Sequence, residues 1–252
     1  MNKNYSFDIG ITTFSLRLDM LKNLIKDIRS FTDNNILLCV NGEKDGNFDD
    51  MYRNSILDLS KTYKNIFPIF FIDLRGLAKM WNTIIVHALK DNILLLNDDI
   101  IIQSNNIFEI VEQHISAKEY NGLSIINETF SFFVVNKYFI HDLGYFDERL
   151  LGFGEEDGDI KYRIKQKYNK NIGKINCSGI NNIISDIRHP GVKNGIGKYS
   201  LFNRTYIFNE KYNCNGNIYY FPDNIECEKK IEDYNCYPYE NFYLTNKHKL
   251  FE

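Results

Sequence analysis

Ile93-Leu94-Leu95-Leu96-Asn97-Asp98-Asp99 is the stretch that decides the fold. Four consecutive aliphatic residues mark a buried strand, and the run stops abruptly at an amide and two carboxylates. In open α/β sheets ligands gather where the strands end. Asp98 and Asp99 are therefore expected at the mouth of a cleft, where carboxylates hold a hard divalent cation against a diphosphate. A solvated turn of Asn and Asp has the same composition, so the triplet takes its meaning from its surroundings.

Upstream, strand and helix patterns alternate. Residues 5–13 predict a first strand, Ser15 an N-cap, and Leu18, Leu21, Ile25 and Ile28 a helix at the right spacing. Ile36–Val40 predicts a second strand ending at the Asn41-Gly42 turn, followed by a loop over 43–50 and a helix over 51–64. A third strand over Pro68–Ile72 and a helix over Leu77–Leu89 lead into the quoted strand. Such alternation predicts an α/β fold with a largely parallel sheet. Downstream the pattern predicts a helix over 105–119, strands over 122–126 and 130–136, and a helix over 137–143. A Gly-rich acidic loop, a helix after Glu156, a strand over 180–187 and a helix over 199–212 follow. Residues 213–252, rich in Tyr, Asn and Cys without a period, are expected to form an appendage to a domain spanning 1–212.

Composition narrows the function. A chain of 252 residues buries one substantial core. Thirty Lys and Arg against thirty-three Asp and Glu supply no overall basic field for nucleic acid. No apolar run is long enough to span a bilayer, and residues 1–15 lack a signal-peptide pattern, so a cytoplasmic protein is expected, with room for peripheral membrane contact. The five cysteines (Cys39, Cys177, Cys214, Cys227, Cys236) form no C-x-x-C pair and predict reduced thiols rather than a zinc site or disulfides.

A second chemical signal is Phe146-Asp147-Glu148 running into Gly152-Phe153-Gly154-Glu155-Glu156-Asp157-Gly158-Asp159. Carboxylates packed this densely repel one another. Unless the loop is simply solvated, they need a cation, a positive partner or a raised pKa. A third signal is His189, between Arg188 and Pro190-Gly191, because imidazole is a standard metal ligand.

The order GLAKMWN (76–82), LLLNDD (94–99), FFVVNKYFIHDLGYFDERLLGFGEED (132–157) and IRHPG (187–191) resembles inverting GT-A glycosyltransferases, particularly the β-1,4-galactosyltransferase type. The resemblance covers most of residues 5–212 and extends to bacterial family 2-like sugar transferases. It implies a GT-A fold, a mostly parallel mixed sheet flanked by helices, a nucleotide-sugar donor (a UDP-sugar), a glycan or other hydroxyl acceptor, and Mn2+ or Mg2+. Asp99 and His189 take the positions of metal ligands, and Asn97 replaces the first Asp of the family's D-x-D. The family's W-G-G-E-D resembles Phe153-Gly154-Glu155-Glu156-Asp157. Asp157 then stands where the catalytic base belongs, Glu156 where a carboxylate orients the acceptor, and Glu155 where the family has glycine. Thr13, Phe14, Arg17, Asn41, Arg75, Asn82 and Asp98 fall among the donor contacts. Lys79 and Asn82 share a helix face, while Met80 and Trp81 suit core packing, or for Trp81 the sugar pocket. Two rivals remain. One is a sugar nucleotidyltransferase, against which stands the glycine-free loop Thr12–Arg17, and the other is a non-catalytic binding protein on a decayed transferase fold, which Asn97 keeps open.

Overall fold

The structure is a computed structural model describing residues 2–43, 46, 48–183, 192–193, 196–212 and 240–250. The chain divides into two compact units. The first takes Met1–Leu74, Thr83–Ile140 and Ile172–Arg188, the second Arg75–Asn82, His141–Asn171 and His189–Glu252.

A seven-stranded sheet organises the first unit. Strands β1 (Phe7–Thr13), β2 (Ile36–Val40), β3 (Ile66–Phe70) and β4 (Asn92–Asn97) are mutually parallel, in the order β3-β2-β1-β4. They are joined through α1 (Leu18–Phe31), α2 (Asp50–Thr62) and α3 (Leu77–His87), and the last of these is shared by chain position between the units. All seven residues of β1 and all five of β2 are buried, as expected for strands covered on both faces. Helix α1 is amphipathic and turns Leu21, Leu24, Ile25 and Ile28 inward. A Cβ at Gly10 would lie 2.4 Å from Ile84 Cγ2 and 2.7 Å from Leu95 Cδ2, so glycine lets α3 lie directly on β1.

After β4 come β5 (Ile100–Ile102), α4 (Asn106–Ser116), β6 (Leu123–Ile126), β7 (Thr129–Asn136) and α5 (Lys137–Leu143). Strand β7 joins β4 antiparallel and carries β6, to which β8 (Gly173–Ile175) adds in parallel. Strand β5 pairs with β9 (Ile180–Asn182) outside this sheet. The result is the mostly parallel mixed α/β architecture that the alternation predicts.

In the second unit, α6 (Glu156–Tyr168), the short ribbon β10 (Val192–Lys193) and β11 (Ile196–Gly197), α7 (Lys198–Thr205) and α8 (Glu240–Asn246) follow the acidic loop. Trp81 packs on Phe146 with ring centroids 4.9 Å apart and is a core residue. Leu151 and Tyr243 are buried with Phe153, Phe202 and Phe242 around them. Phe242 and Tyr243 thus pack as core, while Tyr219, Tyr220, Phe221, Tyr237 and Tyr239 lie outside the described residues.

Local expectations fail at four places. Ser15 caps no helix: it opens a 3-10 turn, Ser15–Arg17, and α1 begins only at Leu18 after Arg17, whose guanidinium is engaged elsewhere. The third strand lies two residues earlier than expected. Pro68 sits in its middle, which β3 tolerates as an edge strand because one side of its backbone needs no ladder bond. The short strands β5, β8, β10 and β11 have no counterpart in the sequence reading. The helix expected over 199–212 ends at Thr205 and continues as a π-helical turn, Tyr206–Lys211.

Candidate functional site

The register of β1 on β4 pairs Thr12 with Asn97, so both strands deliver their carboxyl ends at one level. The chain passes from β1 to β2 on one side, and after β4 it rejoins the sheet through β6 and β7 on the other, making this the switch point of the sheet. There, in the first unit, the structure brings together Thr13, Phe14, Arg17, Asn97, Asp98 and Asp99. Arg17 Nη1 donates to Asp98 Oδ1 at 2.9 Å and to Asp99 Oδ2 at 2.8 Å. Thr13 Oγ1 donates to Asp98 Oδ2 at 2.8 Å and lies 3.1 Å from the Tyr52 hydroxyl. The Arg17 guanidinium also lies over the Phe14 ring, 5.0 Å from its centroid. Asn97 Oδ1 accepts a long bond from Thr12 Oγ1, 3.5 Å. Asn41 is buried one turn away, its backbone N–H donating to Thr13 O and its Oδ1 accepting from Gly42.

The two aspartates differ. Burial pushes Asp98 up to about 6, against the pull of Arg17 and the Thr13 hydroxyl, and both its oxygens are engaged. Asp99 offers Oδ2 to Arg17, but its Oδ1 is buried with no hydrogen-bond partner among the described residues. Such an orphan is rare in a native fold and is the kind of oxygen a cation satisfies. The Asp99 carbonyl is held by the Ile183 N–H at 2.7 Å. His189, the other expected ligand, lies outside the described residues.

The second cluster belongs to the second unit. Nearly every carboxylate of the acidic loop has found a positive partner. Asp147 is held by Arg149 Nε and Nη2, both at 2.8 Å, and by Lys211 Nζ at 2.7 Å. Asp159 takes Arg163 Nε at 2.9 Å, Lys211 Nζ at 2.6 Å and the Tyr212 hydroxyl at 2.6 Å. Glu148 is paired with Lys79 at 3.1 Å and Asn82 at 3.0 Å, Glu155 with Arg204 at 2.7 Å, and the half-exposed Asp157 with Lys161 at 3.2 Å.

Glu156 is the exception. Among the described residues no cation pairs with it. Its Oε2 accepts the Gly154 N–H at 2.6 Å, and Oε1 is buried without a partner. Burial, assisted by Asp157 and Glu155, pushes it up to about 8 even though backbone N–H groups at the start of α6 favour its charged form. A group whose folded pKa is raised binds its proton more tightly in the folded chain. Its contribution to stability is full below about pH 4.5 and is lost as the pH rises through about 8. Glu156→Gln should therefore stabilise the free protein increasingly between pH 5 and 8, by roughly 2–4 kcal/mol at the upper end. Urea midpoints measured across that range test it, and a difference that stays constant with pH would refute it.

Two of the remaining expected residues are built into the second unit. Asn82 is fully buried and clamps the acidic loop: Nδ2 donates to Phe146 O at 2.7 Å and to Glu148, and Oδ1 accepts from Phe146 N at 3.0 Å. Arg75 donates to Glu240 Oε1 at 2.8 Å and stacks on Tyr243, 3.7 Å from its centroid.

The sequence matches no family model and no curated protein, whereas its structure resembles many solved ones. GalNAc-T7, in complex with UDP, GalNAc and Mn2+, matches with a TM-score of 0.59 at 11% identity over 82% of this chain and 49% of its own. Glucosyl-3-phosphoglycerate synthase from Mycobacterium tuberculosis, with Mn2+, UDP and glucosyl-3-phosphoglycerate, matches at 0.59 and 10% identity over 81% of this chain and 79% of its own. The mannosyltransferase PcManGT from Pyrobaculum calidifontis, with GDP-Man and Mn2+, matches at 0.52 and 10% identity over 69% and 55%.

The fold is that of GT-A glycosyltransferases. The chain spans about half the length of GalNAc-T7 and of PcManGT.

Within this GT-A fold, the sequence reading missed Arg149, Lys161, Arg163, Arg204, Lys211 and Tyr212 as partners of the acidic residues, and Tyr52 as the partner of Thr13. The pairs Asp159–Arg163 and Asp157–Lys161, each four apart on α6, carried a local signal.

Proposed function

We propose that this chain is a metal-dependent, inverting glycosyltransferase that moves a sugar from a UDP-sugar donor onto a hydroxyl acceptor in cell-surface glycan biosynthesis. The observation that carries this reading is Asp99 Oδ1, a buried carboxylate oxygen without a partner among the described residues, at the switch point of a GT-A sheet. The UDP and Mn2+ bound by GalNAc-T7 and by glucosyl-3-phosphoglycerate synthase support it.

Asp99 and His189 would hold Mn2+ or Mg2+. Phosphate oxygens and water would complete the cation's shell. When bound, the cation neutralises charge developing on the departing diphosphate. The rest falls to the chain itself. Thr13, Phe14, Arg17, Asn41, Arg75 and Asn82 serve the donor directly or by fixing its neighbours, Asp98 by holding Arg17, and the Asn97 amide by bonding a ribose hydroxyl. Asp157, half-exposed and accessible to an acceptor, takes the proton from the attacking hydroxyl, and Glu156 orients that hydroxyl. In this proposal residues 1–212 are the catalytic domain and 213–252 its appendage. A cytoplasmic setting with peripheral contact at the inner membrane face fits a membrane-linked acceptor. Among the described residues no helix is long and apolar enough to cross a membrane.

The test is calorimetry of UDP binding. Affinity should rise by about tenfold or more when a chelator is replaced by manganese or magnesium, and Asp99→Ala should remove the difference. Equal affinity in both conditions would take the metal out of this reading.

A further inference from the structure

Arg17, placed above among the groups that serve the donor, also faces both aspartates of the first unit. Its guanidinium is nearly buried, and its Nη1 bridges both aspartates. It is held from the side by Phe14, while Thr13 holds Asp98 in turn. Two carboxylates against one guanidinium leave a single negative charge if both acids are ionised. A divalent cation arriving alone at Asp99 Oδ1 would overcompensate that charge. It would also lie on the same carboxylate as a guanidinium that has little water to screen it. A cation arriving on a diphosphate brings its own negative charge, and the phosphate oxygens give Arg17 an alternative partner of matching geometry.

We propose that Arg17 is a resident counter-ion of the Asp98–Asp99 pair that excludes the free divalent cation and admits it only together with the nucleoside diphosphate. This inference rests on the reading of Asp99 as a metal ligand and adds an order of binding to it. Metal and donor enter as one unit, and the unloaded protein keeps its acid pair partly balanced by its own side chain.

The experiment titrates Mn2+ against the full chain and follows the free-ion signal by electron paramagnetic resonance, with and without UDP. Wild type, Arg17→Gln, Arg17→Lys and Asp99→Asn are compared, and thermal melts report on folding. Wild type should bind Mn2+ weakly alone and tightly with UDP. Arg17→Gln should bind Mn2+ alone about tenfold more tightly or better, and Arg17→Lys, which keeps the charge, should return toward wild type. Asp99→Asn should bind poorly throughout. If Arg17→Gln held Mn2+ alone no better than wild type while both bound it with UDP, the counter-ion role would be overturned and the metal-site reading would stand. Wild type binding Mn2+ equally well without UDP would overturn the role even if Arg17→Gln failed to fold. Absence of Mn2+ binding in wild type and Arg17→Gln, with UDP present, would overturn the metal site and this inference with it.

Discussion

Asp157→Asn should lower sugar transfer by about 10²- to 10⁴-fold while leaving UDP affinity nearly unchanged, because the amide keeps the carboxylate's shape but accepts no proton. The residue is the second of α6, and among the described residues its ion pair is a half-exposed contact with Lys161, four residues on, so its loss should disturb little of the fold. The carboxylates assigned to the donor, Asp98 and Asp99, directly follow β4 and are held by Arg17 and Thr13. Steady-state rates combined with a direct UDP titration separate the two effects. Glu156→Gln should weaken use of the acceptor, and Glu155→Gln should matter least. Near wild-type transfer by Asp157→Asn, with Glu156→Gln inactive, would move the base to Glu156, whose buried Oε1 and raised proton affinity already suit proton capture.

Asp159→Asn should cost about 3–5 kcal/mol of stability, the penalty typical of removing one partner from a buried charge cluster. Asp147, Asp159, Arg149, Arg163 and Lys211 are all at least 95% buried, and three cations share two carboxylates. Neutralising Asp159 would leave Lys211 and Arg163 buried with only Asp147 as counter-charge. Lys211→Met should cost less, since each carboxylate would keep its own arginine. Burial alone would raise Asp159, but Lys211 and Arg163 outweigh it and hold the group below the usual carboxylate range. A depressed folded pKa contributes stability above the unfolded value near 4 and loses it as the pH falls through the folded value. The gap between wild type and Asp159→Asn should therefore close in acid. Urea unfolding at pH 7 and in steps below pH 4 measures both claims, and a loss under about 1 kcal/mol at pH 7 would contradict the cluster's role.

The end of β4 was legible because its signal is local. Leu94 to Leu96 is continuous and apolar, and the change to Asn97-Asp98-Asp99 occurs at one peptide bond. The start of α6 at Glu156 was legible for the same reason. What defeated the reading was distance along the chain. The partner of Asp147 and Asp159 is Lys211, more than fifty residues away, and no periodicity announces such a pair. Strand β8 is three residues long, too short for alternation to register, and exists because β6 offers it an edge. The acidic loop posed a correct question, how its carboxylates avoid repulsion, but the answer differs from residue to residue. Most of them found cations, and Glu156 keeps its proton to a higher pH.

Glu155 shows what that loop requires of its backbone. It stands at φ 74° immediately before α6, a left-handed conformation in which glycine is at ease and a side chain costs roughly 1–2 kcal/mol. Arg204, reaching across from α7 to its carboxylate, offsets part of that cost. The codons for Glu and Gly differ by a single nucleotide. A lineage can therefore pass between a relaxed loop and a tethered one in one mutational step, provided the arginine is already in place to receive the acid.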